Sequence, residues 1–361
     1  MSGPVSLSPA LRLADLADRH EVARIEAWLR VRADATPFHR PAWIMAVETG
    51  TGQAAHMLLA EDAGGAIAGL LPLTLVHSPL FGRALVSSGF AVGGGILADS
   101  PRIAAALAAE MVALAARWSA PTAELRGGVL PRETGAGHGW HVKADTYLGF
   151  TRDLPADAEA IMNAIPRKQR AELRKGLANG LSVRIGRDAR DRADHYAVYA
   201  ESVRNLGTPV FPRSLFDGVL DAFGADADIV TVSDGDTPLA SVLSLYHGGA
   251  VMPYWGGGSF AARGARANEV MYHALMLHAA ARGCTRFDFG RSKAGTGPAA
   301  YKKNWGFEGQ PLAYAVHSAD GAPPRDINPL SPRYRLQVGL WRKLPLGIAN
   351  RIGPWIARGL G

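Results

Sequence analysis

Two stretches of the chain show the same order of apolar and polar runs. The first reads HMLLAEDAGGAIAGLLPLTLVHS, then AVGGG, then IAAALAAEMVALAARW, then AELRGG. The second reads DIVTVSDGDTPLASVLSLYHGG, then YWGGGS, then ANEVMYHALMLHAAARG, then RFDFGRS. Runs rich in aliphatic and β-branched residues, bounded by turn residues, predict strands. Asp62-Ala63-Gly64-Gly65 and Asp234-Gly235-Asp236 supply residues that tolerate positive φ between such runs. Met271, Ala274, Leu275 and His278 fall on one helical stripe, with Asn268 as the expected N-cap and Gly283 as the stop. Each copy thus predicts strand, turn, strand, glycine-rich strand end, helix, strand. Gly93-Gly94-Gly95 and Gly256-Gly257-Gly258 lie 163 residues apart, and so do Gly127 and Gly290. The shared offset predicts a duplication: an α/β protein of two tandem units with mixed sheets and helices packed on each.

The same periodicity marks the end of the chain. Leu336, Leu340, Trp341 and Leu344 form one helical stripe, and Ile348, Ile352, Trp355 and Ile356 form another. Pro345 and Pro354 are expected to break or kink it. The expected spans are 1–150 for the first unit, 151–320 for the second and 321–361 for a basic amphipathic tail.

Charge sharpens this division. The 361 residues carry 39 Lys+Arg and 32 Asp+Glu, a net charge of +7. From Pro166 to Arg192, nine bases face three acids, and from Ile327 to Gly361 six bases face none. Each block carries +6 and the remainder −5. Local blocks of this kind attract anionic partners. Pro166 fits a first helical residue, and Arg167, Arg170 and Arg174 then share a helix face suited to phosphate. The acid-free end, 327–361, fits an anionic membrane surface, and equally a helix packed back on the domain with its bases solvated.

Other chemistry is excluded. The single cysteine, Cys284, reads as a core residue and leaves no internal disulfide. There is no Gly-x-Ser-x-Gly elbow and no His-Glu-x-x-His; His138 and His141 read as loop residues, and no metal is expected. The run from Gly290 to Gly297 lacks the Gly-Lys-Ser/Thr of a phosphate loop. No stretch reads as a spanning helix and the first residues do not read as a signal peptide, so a cytoplasmic location is expected, peripheral at the inner membrane if the tail binds lipid. Glu269 and His273 read as an exposed i,i+4 pair.

The richest stretch is RFDFGRSKAGTGPAAYKKNWGFE, Arg286 to Glu308. A strand delivers Asp288 to its end. Arg291 and Lys293 follow, then a Gly/Thr/Pro turn, then Tyr301, Lys302 and Trp305. Bases at the end of a strand can clamp an anionic substrate, and aromatics can flank a planar or sugar-like group. Tyr254, before the triple glycine, is a further candidate for lining the cleft.

This stretch, together with PRKQRAELRKG, resembles the FemAB-like branch of the GNAT acyltransferase superfamily, and within it the FemAB-related proteins of exosortase/PEP-CTERM and exopolysaccharide clusters. The resemblance is strongest from about Leu154 onward. It implies two tandem GNAT-like domains and transfer of an acyl or aminoacyl group to an amine of a cell-envelope or exopolysaccharide precursor. It implies a donor co-substrate, acyl-CoA or aminoacyl-tRNA, with no bound cofactor. Tyr301-Lys302 matches the family's catalytic aromatic-Lys step, with Lys302 as charge stabiliser. Asp288 is the candidate base or orienting group, and Trp305, Arg291, Lys293 and Tyr254 the candidate substrate contacts. Arg266 and Asn268, at the turn before the helix, are the candidate donor contacts. No heptad run provides a coiled-coil arm, which leaves tRNA and acyl-CoA both open. The other reading is a non-catalytic accessory protein that binds a precursor at the inner membrane surface.

Overall fold

A computed structural model describes residues 9–131, 139–319 and 332–361, with side chains from 337 onward in the last span. In chain order the first elements are β1 (Ala10–Leu13), α1 (Arg19–Arg30), α2 (Pro41–Thr51), β2 (Ala54–Glu61), β3 (Ile67–Ser78), β4 (Gly82–Ser87), β5 (Leu97–Ala98), α3 (Pro101–Arg117) and β6 (Thr122–Arg126). There follow β7 (Trp140–Asp153), α4 (Ala158–Ala164), α5 (Arg167–Leu177), β8 (Ser182–Gly186), α6 (Ala189–Leu206), α7 (Arg213–Phe223), β9 (Ala227–Asp234), β10 (Thr237–His247) and β11 (Ala250–Gly258). The last are α8 (Ala262–Ala265), α9 (Ala267–Ala281), β12 (Arg286–Lys293), α10 (Gly297–Asn304), β13 (Gly309–Ser318), α11 (Pro332–Lys343) and α12 (Leu346–Ala357).

The chain divides into two compact units. Unit 1 takes Met1–Ala144, Ala313–Asp326 and Arg358–Gly361, and unit 2 takes Asp145–Leu312 and Ile327–Ala357. These units are discontinuous, unlike the contiguous spans 1–150 and 151–320 expected above. The cause is a strand on each side. In unit 1 the strand order is β1-β2-β3-β4-β6-β13, and in unit 2 it is β8-β9-β10-β11-β12-β7. The orders match one for one. Every neighbouring pair is antiparallel except the fourth with the fifth, β4 with β6 and β11 with β12. The sixth strand of unit 1, β13, comes after β12 in the chain, and that of unit 2, β7, comes before β8.

The helices form where the pattern predicts them. In unit 1, Ser100 caps α3 by accepting from the Ile103 amide, and Leu107, Met111 and Leu114 bury one stripe against Leu71, Leu85 and Leu125. In unit 2, Met271, Leu275 and Ala279 of α9 do the same on the sheet. α5 packs on α9 through Gln169, Leu173 and Gly176; a Cβ at 176 would meet Val270 at 2.9 Å. α6 covers the strands β9, β10 and β11. Gly283 ends α9 at φ +82, with the Cys284 amide donating back to the Ala279 carbonyl.

Some expectations change. Arg266, at φ +59, is the N-cap of α9, without a side-chain bond, and Asn268 lies inside the helix. Its amide group lies where a Cβ on Gly258 would be, at 2.8 Å, so packing on the strand has displaced capping. His273 is buried, so Glu269 and His273 are not an exposed pair. Of the two arrangements open to the tail, packing is seen: α11 and α12 lie on α6 within unit 2. Pro345 separates α11 from α12, and Pro354 sits inside α12. His141 is in β7, and His138 lies outside the described residues. Cys284 is buried, as expected, and burial pushes its thiol pKa up.

Candidate active site

The parallel pair is where the two units diverge. In unit 2, β11 and β12 pair only at Ala250–Arg286 and Val251–Phe287, then separate. Beyond that point β11 runs on to Gly258 and β12 to Lys293. The β10–β11 ladder skips Tyr254: Leu243 faces Trp255 and Ser244 faces Pro253. A bulge of this kind bends the strand and re-aims the extra residue. The glycines that follow bring helices close. A Cβ on Gly257 would sit 2.3 Å from Ser202 Oγ on α6, and one on Gly256 would meet the Tyr272 hydroxyl of α9 at 3.4 Å.

In unit 1 the matching fork is closed. β4 and β6 also pair over two residues, Leu85–Ala123 and Val86–Glu124. β4 then ends at Ser87, so Gly93-Gly94-Gly95 is not a strand end as expected. The segment turns back at Ser88 (φ +47) and Phe90 (φ +63) and lies in the fork. Gly95 packs so tightly on the Gly127 carbonyl that a Cβ would be 1.9 Å from it, and Ile96 bridges Gly128. Side chains pin the segment: Trp43 Nε1 donates to the Gly89 carbonyl at 3.1 Å, Ser88 Oγ to Phe38 at 2.8 Å, and Arg126 Nη1 to Ala91 at 3.1 Å.

The second feature is a bulge in β12. Its register with β7 shifts between Asp288 and Arg291, and Gly290 there takes φ +67, as its counterpart Gly127 takes φ +69. A left-handed residue at this point explains both glycines. Asp288 Oδ1 accepts the Gly290 amide at 2.8 Å and so holds the bulge. Burial raises the Asp288 pKa, with that amide, the Thr151 hydroxyl and Lys302 working against it.

Lys302, on α10, reaches this bulge. Its Nζ donates to the Arg291 carbonyl at 2.9 Å and lies 5.4 Å from the ring centres of both Phe150 and Phe289. Burial lowers its pKa to about 8, against the pull of Asp288; Arg291 lowers it further. Arg291 itself stacks on Tyr147, at 4.4 Å. Lys293 is half-buried on the same strand.

Tyr301 and Trp305 are turned inward. Trp305 is fully buried, so it does not present an open face to substrate as the sequence suggested. α10 is short, and its anchoring in the core needs these rings: Tyr272 meets Phe289, Tyr301 and Trp305 at 4.7, 6.0 and 6.2 Å. Burial and then Glu269 hold the Tyr301 phenol well above its usual range. Glu269 also meets Gln169 of α5 at 3.5 Å. Sequence reading missed Gln169, although it is the polar member of the buried stripe Gln169, Leu173, Gly176 within the basic run.

The basic residues are distributed differently. Arg167 and Arg174 are exposed on the side of α5 away from α9, with Arg170 donating to Asn163 Oδ1 at 3.1 Å. Arg266 does not face outward to a donor: its Nε pairs with Glu172 at 2.5 Å and its Nη1 turns back to the Arg263 carbonyl. Arg152, unnamed in the sequence reading, ties Ala164 and Trp305 together through their carbonyls, at 3.2 and 3.0 Å, over the Phe307 ring.

Residues 166–303, which include the open fork, the bulge and Lys302, match the model of the acetyltransferase (GNAT) domain. Over that stretch the chain is similar to a GNAT domain. Among solved structures, the fold is similar to FemX (TM-score 0.64, 15% identity, 81% of this chain and 95% of that one). It is also similar to L-PGS from Bacillus licheniformis (0.52, 12%, 91% and 98%) and to a tandem GNAT protein from the clavulanic acid biosynthesis pathway (0.51, 12%, 87% and 99%). No curated protein sequence matches the chain. At these identities the likeness is one of fold, and it agrees with the two tandem α/β units that the 163-residue offset predicted.

Proposed function

We propose that the protein is an N-acyltransferase whose chemistry sits in unit 2. It moves an acyl or aminoacyl group from acyl-CoA or aminoacyl-tRNA to an amine of a cell-envelope or exopolysaccharide precursor. The observation that carries this reading is the contrast between the forks. That of unit 2 separates after two residue pairs, whereas that of unit 1 is filled by its own backbone at Gly95, Gly127, Ile96 and Gly128.

In the transfer, a neutral amine attacks the donor carbonyl, a C–N bond forms, and the thioester or ester bond breaks. Negative charge gathers on the carbonyl oxygen meanwhile. A fixed cation away from bulk water lowers that barrier. Lys302 fits this role. At pH 7 a lysine that titrates at about 8 is still mostly protonated, and its ammonium has N–H bonds beyond the one given to Arg291. Asp288 is a positioning group, since it holds the bulge at Gly290. α9 begins without a side-chain cap, which favours a phosphate of the donor at its first turn, with the exposed arginines of α5 as a further phosphate face.

The test combines binding with turnover. Thermal melting is followed with acetyl-CoA, a longer acyl-CoA, an aminoacyl-tRNA and a nucleotide-activated sugar. A shift with one donor class identifies it, and Lys302→Met should then remove turnover while keeping the donor shift. No shift with any donor, or full turnover by Lys302→Met, refutes the assignment.

A further inference from the structure

α12 is docked by the opposite of the usual residues. Its small residues Ala349, Gly353 and Ala357 are buried, and a Cβ on Gly353 would lie 3.2 Å from the Val210 amide nitrogen. Its large apolar residues face solvent: Ile348 is 50% exposed, Ile352 40% and Trp355 53%. At 100° per residue these three lie within about 60° of arc, roughly opposite the buried stripe. Leu340 on α11 is 60% exposed. An amphipathic helix that packs only to stabilise its own domain turns its large residues inward. Here the closeness of the small stripe fixes the helix so that the large ones point out.

The charges on α11, α12 and the residues that follow are of one sign. Arg342, Lys343, Arg351 and Arg358 are exposed, and no acid occurs from Ile327 to Gly361. The face is held in place: Arg342 Nη2 donates to the Leu206 carbonyl of α6 at 3.2 Å, and Arg204 Nη1 donates back to the Arg342 carbonyl at 3.2 Å. A second copy of the chain on this face would oppose bases to bases. An anionic surface would not. No described helix is long and apolar enough to cross a membrane.

We propose that α11 and α12 form a docking face for an anionic lipid surface, with Ile348, Ile352, Trp355 and Leu340 entering the headgroup boundary and the flanking bases meeting lipid phosphate. The proposal concerns where the protein works and holds whatever the donor. The assay is flotation of the full chain with vesicles of phosphatidylcholine alone and of phosphatidylcholine with phosphatidylglycerol, at low and high salt. Binding is expected to the anionic vesicles and to fall with salt. Ile348→Glu with Trp355→Glu should abolish it with little change in the melting temperature, because about half of each residue is in solvent and neither belongs to the buried stripe. Lys343→Glu with Arg351→Glu should weaken it about thirtyfold or more. Failure to float with anionic vesicles overturns the proposal, as does binding that ignores both double variants. A dimer that the Ile348→Glu, Trp355→Glu variant dissolves, without vesicle binding, would assign the face to a second copy instead.

Discussion

Lys302 offers the sharpest physical test, because its burial has a sign that can be measured without a substrate. Its pKa falls from the ordinary 10.5 to about 8. A lysine depressed in the fold is penalised there while protonated. The penalty is in full force below pH 8 and is relieved as pH rises from about 8 toward 10.5. The difference between the two values corresponds to about 3 kcal/mol. Lys302→Met keeps most of the volume between Phe150 and Phe289 but removes the charge. At pH 7 it loses the bond to the Arg291 carbonyl, about 1–3 kcal/mol, and escapes the penalty of about 3 kcal/mol, so the net change is small. Between pH 7 and 9.5 the wild type should then gain about 2 kcal/mol relative to the variant. Urea unfolding of both proteins across that range, followed by tryptophan fluorescence, gives the difference directly. Buried tyrosines such as Tyr246 and Tyr272, with raised pKa values, act on both proteins alike and cancel. A difference that stays flat, or that favours the variant as pH rises, refutes the buried ammonium.

Three further outcomes follow from packing and pairing. Gly95→Ala should destabilise unit 1 by about 3 kcal/mol in a urea melt, because the new Cβ would meet the Gly127 carbonyl at 1.9 Å and backbone cannot move aside cheaply. Gly257→Ala should destabilise unit 2 through its contact with Ser202 Oγ at 2.3 Å, and Ser202→Gly should restore part of the loss, so that the two changes are far from additive. Glu61 accepts from Arg12 at 2.8 and 3.1 Å and from Arg24, which holds its carboxyl at about 2. Its contribution is present above pH 4.5 and fades as pH falls toward 2, so Glu61→Gln should lower stability above pH 4.5, flatten the acid-side fall and leave a melt at pH 2 nearly unchanged.

Much of the site was legible in local sequence. Asp288, Gly290 and Lys302 stand out because a strand end, a left-handed glycine and a cation each need specific residue types. Trp305 and Tyr301 stand out as well, but residue type cannot say whether an aromatic faces a cleft or a core. The short helix that carries them needed an anchor, and only the ring contacts with Tyr272 reveal that they provide it. Arg266 was misjudged for a similar reason. Its partner Glu172 lies 94 residues earlier, and no local pattern pairs them.

The sequence alone determined the duplication, the strands and helices of each copy, and the two basic blocks, because all of these rest on periodicity and near-neighbour spacing. Tertiary structure decided the rest. The repeated glycines could not tell an open fork from a filled one, since both uses need a residue without a side chain. Which strand completes each sheet depends on pairing between segments far apart in sequence. The face that α12 turns to solvent depends on how closely Gly353 approaches Val210, and that distance is set by the fold, not by the helix itself.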